Sequence, residues 1–451
     1  MGSTRLILTV SLAVFCVDVD FFALNLALPA TARGLGVTTT DLQWAITVFQ
    51  LTLASLLIPA GRLGDLLGRR RVFLCGIALF ALASLLCGLA QSATMLVAMR
   101  FLQGAAAALL FPVGIAIISN AFPPETRGKA IGLVYGLGAI GTAIGPFIGG
   151  VLTDAINWRW VFFFNVPFAA VAFVLALRTV TDSRDASAER VDWPGLATVV
   201  AGVAGVTLAV DRGASWGWVS VPTLGLFVAG LAVLVLFVAI ERRSRFPLVD
   251  LELFRNRAYV IVTLSGGVGN IGTCLMLFLA SIYLQQVRGL TPLEAGVVFL
   301  APALANAAAG VIAGRLGARG TSPQLVMGGA LLAGAAGLAV LAFASAWGAY
   351  VAAFALAGFG LGITWSYTSV GTQQVVPEAQ AGGASGVTLA IVVALGGLAV
   401  AVGATLLDVF VDGGESTTGG IHWLFGGLAA LAVLGAVALA VTVRPRRGVS
   451  A

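Results

Sequence analysis

Long apolar runs separated by short polar ones make up almost the whole chain. Stretches of about twenty or more apolar residues, each long enough for a helix to cross a hydrocarbon layer of ~30 Å, fall near 6–30, 41–63, 72–91, 94–120, 129–153, 160–178, 192–210, 220–240, 259–286, 292–314, 323–344, 346–370, 381–407 and 422–443. The pattern predicts about fourteen spanning helices and an all-α polytopic membrane protein.

Composition says the same: 59% of the residues are hydrophobic and only 10% charged, so nearly every segment is driven out of water. The sparse charges carry topology. Of the 25 Lys and Arg residues, all but Arg33, Arg159, Arg212, Arg288 and Arg100 fall in one set of alternate loops. Basic residues are retained on the cytoplasmic side, which places both termini there and makes the cell (plasma) membrane the expected site. The formal net charge of +6 is therefore topological and gives no reason to expect a nucleic-acid partner. Cys16, Cys75, Cys87 and Cys274 lie inside apolar segments without paired spacing, and read as packing residues rather than as disulfide or metal ligands. No metal, cofactor or nucleotide site is expected, because no loop of the Walker type occurs. Gly136-Leu137-Gly138-Ala139-Ile140-Gly141 satisfies a dinucleotide-binding spacing letter for letter, yet no strand precedes it and it lies within a span, where small residues serve close helix packing.

Ala60-Gly61-Arg62-Leu63-Gly64 recurs as Ala313-Gly314-Arg315-Leu316-Gly317, and Pro124-Glu125 as Pro377-Glu378; Gly61 and Gly314, like Pro124 and Pro377, stand 253 positions apart. One shared offset at comparable helix-loop positions indicates duplication. Each repeat holds six helices, and the spans near 192–210 and 220–240 form an insert between them. The expected organisation is an N-terminal six-helix bundle over 1–180, linkers and a two-helix insert over 181–257, and a C-terminal six-helix bundle over 258–451. Two six-helix halves about a central cavity describe a secondary transporter, not an enzyme.

Three charged side chains stand within the first and fourth spans. An ionised carboxylate there costs several kcal/mol unless it meets water, a partner or a proton, so Asp18 and Asp20 are proton-carrier candidates. Two residues apart on a helix is about 200°, and the pair cannot face the same way; periodicity with Asn25 favours Asp18. Arg100 stays charged and needs an acceptor. Between the second and third spans, Gly61, Asp65, Gly68, Arg69 and Arg70 form a charged hairpin. Its glycines permit close helix approach, and Asp65 is expected to face the start of the helix near 381 and hold the cytoplasmic side shut. Arg69, Arg70 and Arg71 suit lipid headgroups.

Several segments together resemble the fourteen-helix drug:proton antiporter family of the major facilitator superfamily. Val19-Asp20-Phe21-Phe22-Ala23-Leu24-Asn25-Leu26-Ala27-Leu28-Pro29 is similar to its first-helix signature, Gly61 to Arg71 to its loop motif, and Arg100-Phe101-Leu102-Gln103-Gly104 to its fourth-helix motif. Gly141-Thr142-Ala143-Ile144-Gly145-Pro146-Phe147-Ile148-Gly149-Gly150 resembles the antiporter motif of the fifth helix, and Trp158 to Pro167 the entry into the sixth. The resemblance implies the major facilitator fold, proton-driven export of hydrophobic small molecules such as drugs or antibiotics, and Asp20 rather than Asp18 as carrier with Arg100 assisting. It also assigns Gly141, Gly145, Pro146, Gly149 and Gly150 to exporter function. Phe22 stands where the family usually has Thr, and Ala318 replaces an acid in the second copy of the loop motif. A carrier of another mode, moving lipids or metabolites or working as an importer or facilitator, is the alternative that the same fold permits.

Asn25, Gln50, Asn165, Asn270, Asn306, Trp365, Tyr367 and Gln373 are the polar or aromatic candidates for a mostly apolar substrate cavity. The expected partners are a small hydrophobic substrate, protons and membrane lipids, with the protein working as a monomer.

Overall fold

The computed structural model describes residues 2–182, 192–244, 247–344, 346–377 and 381–442. The linker residues 183–191, Arg245, Phe246, Glu378 and the basic tail with Arg444, Arg446 and Arg447 lie outside the described residues, and with them parts of the repeat and of the charge pattern.

The described residues are helical nearly throughout. The first half comprises α1 (Gly2–Leu35), α2 (Thr39–Leu42), α3 (Trp44–Leu67), α4 (Arg69–Gly88), α5 (Ala93–Ala121), α6 (Pro124–Ala155), α7 (Trp160–Phe163) and α8 (Asn165–Thr179). The insert is α9 (Trp193–Trp216) and α10 (Val221–Glu241). The second half holds α11 (Arg257–Ile282), α12 (Pro292–Ala318), α13 (Pro323–Leu341), α14 (Trp347–Val375), α15 (Ala381–Asp412) and α16 (Thr417–Thr442). Among the described residues thirteen helices are long and apolar enough to cross a membrane, and a fourteenth span arises if Thr39–Leu57 and Pro59–Leu67, which meet at 51° beside Pro59 of α3, are taken as one. Proline removes a backbone donor and crowds the preceding turn, which accounts for the bend.

Two spans are more broken than the apolar runs suggest. The sixth divides into α7 and α8 around Phe164, just ahead of Pro167. The ninth ends in a π-helical turn over Tyr283–Val287, a geometry that frees backbone groups and often marks functional positions.

Packing repeats between the halves: α3 lies on α5 as α12 lies on α14, and α4 on α5 as α13 on α14. Gly64 of α3 lies against Val113 of α5, and Gly317 of α12 against Val370 of α14. The repeat read from sequence thus has matching helix crossings. Across the halves, α6 packs on α12 and α3 on α15, while α9 touches both α3 and α15 and so covers that second seam.

The halves do not meet equally along their length. One large buried cluster joins Leu24, Leu28, Leu42 and Phe162 of the first half to Leu277, Leu284, Phe299 and Leu407 of the second. It sits at the end of the bundle remote from Gly2 and Thr442. At the end that carries the termini, Tyr259, Ala384 and Val387 form a cluster within the second half, and Val72, Phe73 and Ile117 belong to a cluster drawn mainly from the first half. The remote end is therefore sealed by a shared core and the terminal end is not.

Hydrogen bonds reinforce the seal. Ser281 Oγ donates to the Asn25 carbonyl (2.5 Å), Gln285 Nε2 to the Leu26 carbonyl (2.9 Å) and Gln286 Nε2 to Thr39 Oγ1 (2.7 Å).

Candidate functional site

Asp20 lies in the middle of α1 and Arg100 in the second turn of α5, and both are fully buried. Arg100 Nη1 donates to Asp20 Oδ2. The other carboxylate oxygen, Oδ1, accepts from Asn165 Nδ2 at 2.7 Å and Gln103 Nε2 at 3.1 Å. Arg100 in turn donates through Nε to the Ala45 carbonyl (2.8 Å) and through Nη1 to Gln103 Oε1 (3.0 Å), and its guanidinium stands 4.2 Å from the centre of the Phe49 ring. Gln103 also donates to Ser84 Oγ at 2.8 Å. Helices α5 and α8 thus bond the α1 carboxylate directly, while α3 and α4 hold Arg100 and Gln103 in place.

Helical register makes this possible. Arg100 and Gln103 are three residues apart and share a face of α5. Gly104 lets α5 approach α3 closely, since a Cβ there would come within 3.0 Å of Thr52 Cβ and collide with the Phe49 carbonyl. A buried ion pair repays its desolvation better the more of its remaining polar atoms are satisfied; here Asp20 is bonded at both oxygens, while among the described residues Arg100 Nη2 and Asn165 Oδ1 find no partner. The arrangement can hold a carboxylate away from water, and it comes apart if the Arg100 bond is lost.

Asp18 faces elsewhere. It is half-buried at the crossing of α1 and α6, where a Cβ on Gly138 would lie 2.7 Å from its Oδ2 and one on Gly141 would lie 3.3 Å from its Cβ. The glycines of α6 serve two neighbours. Gly141, Gly145 and Gly149 lie against Phe15, Val19, Phe22 and Ala23 of α1, whereas Gly150 lies against Pro292 and Gly296 of α12 across the seam. Pro146 lines a cleft at that seam, together with Phe22, Thr142, Met276, Phe299, Pro302 and Asn306. The cleft is partly open and has a volume of only about 30 Å³. No side chain that lines it is charged.

The expected cavity residues disperse. Asn306 lines the cleft. Asn165 instead belongs to the Asp20 cluster. Gln50 and Asn270 lie against Gly397 and Gly396 of α15, donating to Cys274 Sγ (3.2 Å) and the Val392 carbonyl (2.9 Å), and the Asn25 side chain bonds back to the Phe21 carbonyl at 3.2 Å. Tyr367 is buried in a cluster near the terminal end, its hydroxyl donating to the Thr321 carbonyl, while Trp365 and Gln373 are on the exposed surface. Residue type shows that a polar group needs a partner, but not which way its helix is turned. Gln103 joins the site as well, and its three-residue spacing from Arg100 is the signal for it that the sequence carries.

In the hairpin, Gly68 adopts φ +100°, a left-handed conformation that only glycine takes at low cost. The turn brings Arg69 back onto Asp65, with Nε and Nη2 donating to Oδ1 at 2.9 and 2.7 Å. Arg70 Nη2 donates to the Leu177 carbonyl at 2.8 Å. Gly61 is only in ordinary contact with Pro112, whereas a Cβ on Gly64 would lie 2.8 Å from Val113 Cγ2.

Residues 10–401 match the model of the Major Facilitator Superfamily. The chain is 34% identical over 396 residues to the multidrug resistance protein Stp of Mycobacterium tuberculosis, covering 86% of this chain and 73% of that one. It is 33% identical over 431 residues to the tetracenomycin C resistance and export protein of Streptomyces glaucescens, covering 90% and 77%. In fold it resembles the crystal structures of the human organic anion transporter MFSD10 (TETRAN), with a TM-score of 0.66 at 17% identity over 97% of this chain and 99% of that chain, and of the POT family transporter PepTSo, with 0.70 at 15% identity over 97% of both.

Proposed function

We propose that this chain, which belongs to the Major Facilitator Superfamily, exports hydrophobic small molecules of the drug or antibiotic kind in exchange for protons by alternating access. The relatives named for multidrug resistance and for tetracenomycin C resistance and export support the export of such compounds. The Asp20–Arg100 pair carries the proton-coupling part of the reading: a fully sealed ion pair adds little stability that a pair of apolar residues could not supply, and a membrane-embedded acid is a functional group by default.

Protonation at Asp20 cancels the attraction to Arg100 and loosens the junction of α1 with α5. That junction lies beside the seal made by Asn25 and Leu26, which follow Asp20 by about one and a half turns. A proton loaded from the outside, in the state in which that end is open, thus frees the halves to rock, and its release on the other side restores the pair. The cytoplasm is assigned to the terminal end because the basic loops lie there. The Asp65 hairpin is the latch that closes this end in the opposite state. The protein acts as a monomer in the cell membrane, with Arg69 to Arg71 among lipid headgroups.

Substrate-induced dissipation of a proton gradient in everted vesicles tests the reading. Wild type is expected to release protons on addition of lipophilic compounds, and Asp20→Asn to give no release with any of them; release undiminished in Asp20→Asn would overturn the role of Asp20.

A further inference from the structure

The two-helix insert carries a pair of acids that the transport mechanism leaves unused. Asp192 stands just ahead of α9 and Glu241 ends α10, so the two lie where the insert leaves one bundle and rejoins the other. Only 9% of the surface of Asp192 and 3% of that of Glu241 is exposed. One oxygen of each is held by the backbone: Asp192 Oδ1 accepts from Gly195 N at 2.8 Å, and Glu241 Oε2 from Val249 N at 3.1 Å. The other two, Asp192 Oδ2 and Glu241 Oε1, are buried and have no hydrogen-bond partner among the described residues.

Those two oxygens point into one space. A Cβ on Gly195 would lie 2.7 Å from Glu241 Oε1 and 3.2 Å from Asp192 Oδ2, so the oxygens are at most 5.9 Å apart, the sum of those distances. Gly195 leaves the space free of its own side chain. The charged neighbours face elsewhere or stand apart. Arg242 and Arg243 follow Glu241 and are exposed, as are Asp250 and Glu252 beyond Val249. Helices α3 and α15 pack on α9 and carry Arg62, Asp65, Asp408 and Asp412. Among the described residues none of these forms an ion pair with Asp192 or Glu241; Arg190 and Arg245 lie outside the described residues.

Two dry carboxylates at this separation repel when both are ionised, and the repulsion is relieved when one of them takes up a proton. We propose that Asp192 and Glu241 form a proton-binding site apart from Asp20, in which Glu241 keeps a proton and presents its O–H towards Asp192. The proton turns a repelling pair into a donor facing an acceptor. It also fastens three segments together: the start of α9, the end of α10 and the stretch at Val249 that leads into α11. Loss of the proton as the pH rises restores the repulsion and loosens that junction. The site does not rest on the exporter reading.

Infrared spectra of the purified full chain in detergent, in the carboxyl C=O stretching region, test this with wild type, Glu241→Gln and Asp192→Asn. Near neutral pH the wild type is expected to show a carboxyl band that both variants lose, since either amide supplies an N–H donor where the proton otherwise sits. A band lost in Glu241→Gln but kept in Asp192→Asn would mean that burial alone holds the proton. Spectra alike in all three would mean an ionised pair, its charge countered by a cation or by Arg190 or Arg245. Either result overturns the proposal. Stability gives a second readout, because a proton bound in the folded state and absent from the unfolded one stabilises at low pH and is lost as pH rises. Wild type and Glu241→Gln are expected to melt within about two degrees of each other at about pH 6, which certifies that the variant is folded. By about pH 9 wild type is expected to fall below the variant; parallel curves would also overturn the site.

Discussion

Asp20 and Arg100 stand eighty positions apart in the chain and pair side chain to side chain with no exposed surface on either. Breaking such a pair from one side leaves an uncompensated buried charge, which costs about 3–5 kcal/mol. Arg100→Ala is therefore expected to lower the thermal midpoint in detergent markedly and to abolish proton-coupled transport. Arg100→Lys is not expected to restore transport, because one ammonium cannot reach the Ala45 carbonyl, Asp20 and Gln103 together while lying over Phe49. Melting curves and vesicle efflux for the two variants check this.

Asn165 and Gln103 donate to the same Asp20 oxygen. Replacing Asn165 by Leu removes a donor to a buried acceptor, a loss of about 1–3 kcal/mol. The Gln103→Leu variant also strips Ser84 of its bond and is expected to be the worse of the two. A thermal-shift series on purified protein ranks them; equal midpoints to wild type would remove both from the cluster.

Gly149 and Gly136 share a helix but not a surrounding. A Cβ on Gly149 would lie 2.8 Å from the Ala23 Cα, whereas one on Gly136 meets nothing within 4 Å. Gly149→Ala is expected to force α1 and α6 apart, with little folded protein recovered. Gly136→Ala is expected to change stability by less than about 1 kcal/mol. Fluorescence size-exclusion profiles of the two alanine variants distinguish them.

Ser281 and Gln285 bond the backbone of α1 across the sealed end. Their double replacement by alanine removes two bonds worth about 0.5–1.5 kcal/mol each, enough to move a balanced two-state equilibrium several-fold. Spin labels at Arg33 and Leu293 are expected to report a longer distance in a larger fraction of molecules. An unchanged distribution would show that the apolar cluster alone holds this end.

Asp65 and Arg69 close the hairpin as an i,i+4 pair that is partly open to solvent, and such a pair adds only about 0.3–0.5 kcal/mol. If the hairpin is a latch, Asp65→Asn lowers transport at least fivefold with a thermal midpoint within about a degree or two of wild type. A fall in stability that matches the fall in transport would argue instead for a packing role.

Much of the fold was legible because lipid imposes a one-dimensional test: a segment apolar for about twenty residues must be helical, its backbone bonds satisfied within itself. The insert, the repeat and the spacing of Gly64 with Gly317 followed from the letters. The breaks at Phe164 and Tyr283 did not, since each depends on packing around it, as with Tyr283, which stacks on Tyr350 with ring centres 5.2 Å apart.

By itself the sequence determined that the chain crosses a membrane many times in two related halves, and that Arg100 needs an acceptor and the first-helix acids a reason to be there. Tertiary structure alone decided that the acceptor is Asp20, that Asn165 and Gln103 complete it, and that Asp18 rests on Gly138. The physical reason is rotation and approach: hydropathy measures the transfer of a whole helix, while partners are chosen by the face each helix turns inward and by the glycines that let two backbones come close.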